Sequence, residues 1–147
     1  MTIAESWASV ATPRVRLVEA SVAVRLPFAD TSASLARVQL REWMVSQGSS
    51  GDHVDDARLI ISELVANAIR HAQPLPDGNL GISWRLDPRG VKVAVTDGGA
   101  ATQPRRVDAP ASARAGRGLA LVEELSISWW AERTRSRSTV YAVLSMG

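Results

Sequence analysis

Three short stretches of this chain carry side chains whose types and spacing suit chemistry. In "ISELVANAIRHA", residues 61–72, Glu63, Asn67 and Arg70 fall at i, i+4 and i+7, with His71 alongside. At 3.6 residues per turn they share one helical stripe, so a carboxylate and an amide oxygen face the same way. Asn is a poor helix former because its amide competes for backbone hydrogen bonds; Asn67, set between two alanines, is a local cost. The ordinary explanation is an exposed polar face on which Glu63 pairs with Arg70. In "TDGGA", Asp97, Gly98 and Gly99 close an apolar run. A carboxylate there can take N–H donors from the edge of a base while glycines let the backbone come close, or the run is a plain strand-ending turn. In "GRGLALV", Gly116 and Gly118 stand where a helix begins. Free N–H groups and the helix dipole would suit a phosphate chain, or the glycines merely end a loop.

The elements that must position these residues are readable from periodicity. "VAVRLPF" (22–28) alternates as a half-buried strand, with Pro27 pointing to a sheet edge. "TSASLARVQLREWMVSQG" places Ala33, Ala36, Leu40, Trp43 and Met44 at helical spacing, and Gly48 suits its end. A second helix is expected from about His53 to Ala72, capped by Asp52, with Ile61, Leu64, Ala68 and Ala72 on its buried stripe and Ile60 and Val65 beside it. Leu80 to Leu86 and Val91 to Val95 form a hairpin across "DPRG". After a long Gly-, Pro-, Ala- and Arg-rich stretch, read as a lid, come a short helix "GLALVEEL" (118–125) and a second hairpin across "RSR". The order β α α β β lid α β β predicts an α+β fold: a two-layer sandwich with a mostly antiparallel mixed sheet covered on one face by helices.

Composition narrows the setting. The 147 residues suit one domain, with residues 20–147 as the functional unit and 1–19 as an arm or added edge strand. No Cys is present, which excludes disulfides and thiolate metal sites, and the cytoplasm is the expected compartment with no membrane contact. The net charge is only +2, and every basic residue but Lys92 is Arg. Arg-rich loops at 103–117 and 132–138 lack interleaved aromatics, so no direct nucleic-acid partner is expected.

Taken in order, the three stretches resemble the ATP-binding fold shared by DNA gyrase, heat-shock chaperones, histidine kinases and mismatch-repair ATPases, called GHKL or Bergerat-type. The likeness is closest to the anti-sigma factor serine kinases. Glu63, Asn67, Ala68 and His71 match the family's helix motif, Asp97 and Gly99 its Asp-x-Gly motif, and Gly116, Gly118 and Leu119 its Gly-x-Gly-Leu motif. The resemblance spans roughly residues 20 to 145, and the ordered trio is more specific than any of its parts.

The resemblance implies ATP and Mg²⁺ as ligands. By it, Asn67 is the Mg²⁺ ligand, an amide oxygen suiting an ion that keeps several waters. Glu63 is the general base for an attacking serine hydroxyl. Asp97 binds the adenine amino group, supported through water by Thr139, and Gly99 belongs to the same motif. Gly116, Gly118 and Leu119 form the phosphate-binding helix start, and Arg114 reaches the terminal phosphate. It further implies an anti-sigma factor that phosphorylates an anti-anti-sigma (STAS-type) protein, binds a sigma factor and thereby regulates transcription by partner switching, with a possible homodimer. Alternatives are an ATP-dependent partner-binding regulator without phosphotransfer, or a histidine-kinase-type catalytic domain. The latter is disfavoured by the 16 residues between Gly99 and Gly116. Ala101 departs from the family, which often has a glycine there.

Overall fold

A computed structural model describes residues 20–99 and 117–147. The elements run β1 (Ser21–Pro27), α1 (Thr31–Ser46), α2 (Gly51–His71), β2 (Asn79–Asp87), β3 (Gly90–Asp97), α3 (Arg117–Leu125), β4 (Ser128–Arg133) and β5 (Ser138–Leu144). The expected arm, 1–19, and most of the expected lid lie outside the described residues.

Five strands form one sheet in the order β1-β2-β3-β5-β4, and all four pairings are antiparallel. β1 is an edge strand, as Pro27 requires, since its missing N–H leaves no ladder bond unmade on the outer side. Helices cover one face. Val22, Val24 and Leu26 of β1, Leu80, Ile82 and Trp84 of β2, and Val91, Val93 and Val95 of β3 point into a core shared with all three helices. From α2, Val54, Ala57, Ile60, Ile61, Leu64, Val65 and Ala68 are buried, which is the 3.6-residue stripe the sequence displays. α1 contributes Ala36, Leu40, Trp43 and Met44. α3 is held by Leu119 and Val122, both buried, where it packs on α2.

The start of α2 differs from expectation. α2 begins two residues earlier than His53, with Ser50 at the cap position. Asp52 therefore lies inside the first turn, where its charge still complements the helix dipole. The "DPRG" turn forms as read: the Asp87 carboxylate accepts the Arg89 backbone N–H at 2.9 Å. That bond holds the Asp87 carboxyl below its usual range, with the Arg89 and Lys92 charges adding to it.

Candidate functional site

The end of α2 and the end of β3 are tied together by backbone. The Gly98 N–H donates to Gln73 O at 2.7 Å, and the Gln73 N–H donates to Gly99 O at 3.1 Å. A helix end and a strand end thus become one rigid corner, which carries Asn67 and Asp97. Gly98 is required by this contact: a Cβ there would meet Pro74 O at 2.0 Å. The close approach that these glycines permit is to the chain's own loop after α2. Gly99 turns the backbone at φ +90°, a region that disfavours side chains.

Asp97 is buried at 6% exposure. Its Oδ1 accepts the Gly99 N–H at 2.7 Å, forming a local Asx turn. Burial pushes its carboxyl up to about 6, against the Gly99 bond and the Arg133 charge, which both pull it down. Among the described residues no donor is seen on the second carboxylate oxygen. Strand alternation sets its surroundings: Asp97 lies on the same face as Val91, Val93 and Val95, directly across from Ser138 on β5, which in turn faces Arg133 on β4. Ser138, 7% exposed, is the polar neighbour of Asp97 on the covered face.

Thr139 is not brought to Asp97. It pairs with Thr96 in the register and points to the opposite face, where the two hydroxyls lie 2.8 Å apart. A one-residue step along a strand reverses its face. Ser138 is therefore a residue that motif reading misses and that counting by twos from Asp97 across the ladder finds.

On α2, Glu63 is half-buried one turn before Asn67. Among the described residues no ion pair joins Glu63 to Arg70; Arg70 and His71 are exposed in the last turn, where cations suit the helix dipole. Asn67 Oδ1 is enclosed and has no hydrogen-bond partner among the described residues. Two other buried polar atoms share that state, Arg58 Nε and Trp84 Nε1. Both are donors, and neither can ligate a cation. Of these three atoms Asn67 Oδ1 is the acceptor, and leaving it unpaired costs about 1–3 kcal/mol.

The third stretch is only partly in view. Gly116, Arg114 and Ala101, with Arg105 and Arg106, lie outside the described residues. The helix begins at Arg117, with Gly118 in its first turn. Leu119 is 4% exposed and packed in the core, so its side chain anchors α3 beneath any ligand at the helix start. No group of three His, Cys, Asp or Glu residues that could hold a metal occurs among the described residues. The donor set suits an ion that takes one amide oxygen from the protein and the rest from phosphates and water.

A family model described as a histidine kinase-like ATPase domain matches residues 26–144. The serine-protein kinase RsbW of Staphylococcus epidermidis is 28% identical over 80 residues, covering 53% of this chain and 50% of that protein. The chain thus spans about half the length of the curated relatives it matches. Among solved structures, the RsbU and RsbW domains of a Mycobacterium tuberculosis protein superpose with a TM-score of 0.67 at 23% identity, covering 86% of this chain and 32% of that one. The SiaB–SiaC complex of Pseudomonas aeruginosa gives 0.63 at 12% identity, covering 92% of this chain and 96% of its counterpart. These two likenesses establish the shared fold.

Proposed function

Because the chain belongs to the histidine kinase-like ATPase domain family, we propose that it binds Mg·ATP at the α2–β3 corner and transfers phosphate to a protein serine. The observation that carries this reading is Asn67: a buried acceptor with no donor among the described residues, on a helix stripe shared with a carboxylate, in a helix whose end is tied by backbone to the strand end that carries the buried Asp97. Stability alone gives no reason for that placement.

In this reading the free oxygen of Asp97 accepts the adenine amino group, and Ser138, its neighbour across the ladder, orients it in the place that the resemblance gave to Thr139. Gly99 fixes the Asp97 rotamer through its N–H. Asn67 Oδ1 would hold the Mg²⁺, which would neutralise phosphate charge. Gly116, Gly118 and the backbone of Leu119 cradle the phosphates, with Arg114 at the terminal one. Glu63 takes the proton from a serine hydroxyl as that oxygen bonds to the γ-phosphorus and the bond to the β-phosphate oxygen breaks, releasing ADP. By the resemblance to the anti-sigma factor serine kinases, the acceptor is an anti-anti-sigma protein and the alternative partner a sigma factor, in the cytoplasm. No helix among the described residues is long and apolar enough to cross a membrane.

Calorimetric titration of the chain with ATP, with and without Mg²⁺, tests the site. Binding that tightens with Mg²⁺ in the parent and no longer does so in Asn67→Ala is the expected result. Equal Mg²⁺ dependence in both would remove Asn67 from the site.

A further inference from the structure

The register sets Arg25, Gly81, Thr96 and Thr139 in one row across β1, β2, β3 and β5, on the face of the sheet away from the helices. One member of that row has no side chain. The neighbouring row begins Ala23, Ser83, Ala94, all small, so a gap opens at Gly81 between Arg25 and Thr96. Leu75, from the loop after α2, reaches into the gap without filling it. Its Cδ1 lies 3.9 Å from where a Gly81 Cβ would stand. What remains is a cavity of about 260 Å³, with Arg25, Leu75, Gly81, Ser83, Thr96 and Arg137 in its lining.

The polar part of that lining suits an anion. Arg25 and Arg137 bring two guanidinium groups, and no carboxylate occurs among the described lining residues. Arg25 gives one nitrogen to Asp77 at 2.7 Å, an exposed bridge that leaves its other donors available. No hydrogen bond among the described residues occupies the Arg137 guanidinium or the Ser83 hydroxyl. Thr96 and Thr139 share one bond at 2.8 Å, so whichever hydroxyl accepts it still has its own O–H to give. Guanidinium and hydroxyl donors beside the apolar Leu75 and Ala23 match a carboxylate or phosphate on a short carbon body. The volume lies just below the ~300 Å³ at which drug-sized sites begin, which favours a small ligand.

The cavity also touches both structures that grip the α2–β3 corner. Leu75 stands two residues after Gln73, whose backbone bonds Gly98 and Gly99. The Leu75 N–H donates to Asn79 O and its carbonyl accepts the Gly78 N–H, each at 2.8 Å, so the loop has little slack. Arg137 belongs to the β4–β5 turn, which packs on the same corner: a Cβ at Gly99 would lie 3.5 Å from Arg137 N and from Arg135 O. A molecule seated between Leu75 and Arg137 braces the Gly98–Gly99 backbone from two sides.

We infer that this cavity is a regulatory site for a small organic anion, which Arg25 and Arg137 hold and whose binding stiffens the corner that carries Asp97. A ligand that orders what a second ligand must also order gives positive coupling, and the coupling is reciprocal. The effect on nucleotide affinity rests on the function proposed above; the effect on the corner does not.

Citrate and glycerol 3-phosphate are the probes, titrated by calorimetry into the nucleotide-free full chain, with sulfate as the bare-ion control. At least one organic anion is expected to bind saturably and more tightly than sulfate; which of the two binds names the class, carboxylate or phosphate ester. Binding should weaken at least about tenfold in Arg137→Gln and in Ser83→Phe, which fills the cavity. Arg137 is exposed, so that variant keeps the test open if Ser83→Phe does not fold. Hydrogen exchange of the Gln73 and Gly98 amides should slow about fivefold or more with the saturating probe in the parent, and not in Arg137→Gln. ATP affinity should tighten by a similar factor. Binding no tighter than sulfate, binding unmoved by both substitutions, or amides unmoved by the bound probe overturns the inference. A chain that binds Mg·ATP but neither probe refutes this inference alone. Probe binding and slowed amides in a chain that does not bind ATP refute the nucleotide reading and leave the anion site standing.

Discussion

The two faces of the sheet are built from the same five strands, yet their polar groups are treated in opposite ways. On the open face polar groups find partners: Thr96 meets Thr139, and Tyr141 meets Glu132. On the covered face, towards the end of α2 and at the end of β3, Asn67 Oδ1 has no partner among the described residues and Asp97 is buried at the cost of a raised carboxyl pKa. A protein selected for stability alone would show the reverse, because unpaired polar groups are cheap in water and costly in a core. Under the proposed function, Asn67 Oδ1 and Asp97 are the groups that bound nucleotide completes, whereas Arg58 Nε and Trp84 Nε1, also unpaired among the described residues, are donors with no part in it.

The sharpest way to break this contrast is Glu63→Gln. If the covered-face corner is a phosphotransfer site, ADP formation at saturating Mg·ATP falls by about 10²–10⁴-fold, the range of general base catalysis, while ATP affinity stays within about twofold. Parallel loss of both would make Glu63 a structural residue. Turnover absent from the parent as well, with ATP binding intact, would leave an ATP-dependent binding regulator. The next largest effect compares two glycines. At Gly98 a Cβ would sit 2.0 Å from Pro74 O, and backbone must move. At Gly81, on the open face, the nearest atom is Thr96 Cβ at 3.7 Å, an ordinary contact. Urea melts should show Gly98→Ala destabilised by about 2–4 kcal/mol and Gly81→Ala unchanged within about 1 kcal/mol. Equal effects would show that the α2–β3 tie is not what the corner depends on.

Much of the fold was legible because hydrophobic period is a local property. The α2 stripe, the alternation in β2 and β3 and the "DPRG" turn are each encoded within a few residues, and they form where the pattern places them. What sequence could not supply were relations between segments. Gly98 reads as room for a ligand, but its neighbour is Pro74, 24 positions away, brought there by the path of the chain after α2. The cap assigned to Asp52 moved to Ser50 because "GSSGD" offers several residues able to start a helix. The row Ala23, Ser83, Ala94, Tyr141 and Trp130 crosses strands far apart in sequence, so no window along the chain displays it.

The Asp97 carboxyl converts the contrast into a pH dependence. Its pKa rises from 3.8 to about 6 on folding. Between those values the folded state holds more proton than the unfolded one, so the stability from this group declines as pH rises from about 4 to 6 and stays low above. Asp97→Asn is therefore expected to raise the thermal midpoint of the nucleotide-free chain at pH 7 and to leave it unchanged near pH 4. Nucleotide binding has the opposite sign. The ionised carboxylate is the form that accepts an amino group, so ATP affinity should fall by up to about tenfold per pH unit below about 6. That slope should flatten in Asp97→Asn; an identical slope in the variant would place the titrating group elsewhere.

The smallest effect separates two adjacent residues and tests the face assignment most directly. Ser138 and Thr139 differ by one strand step, and only Ser138 shares the covered face with Asp97. Ser138→Ala is expected to weaken ATP binding by about three- to tenfold and to reduce the preference for ATP over GTP, the effect of losing one neutral hydrogen bond. Thr139→Val breaks the bond to Thr96 on the open face, where water replaces it, so ATP affinity should stay within about twofold. Competition titrations with the two nucleotides measure both. If Thr139→Val proved the more damaging, adenine would have to be read from the open face, and the site would have to be rebuilt around the Thr96–Thr139 pair rather than the corner that holds Asn67.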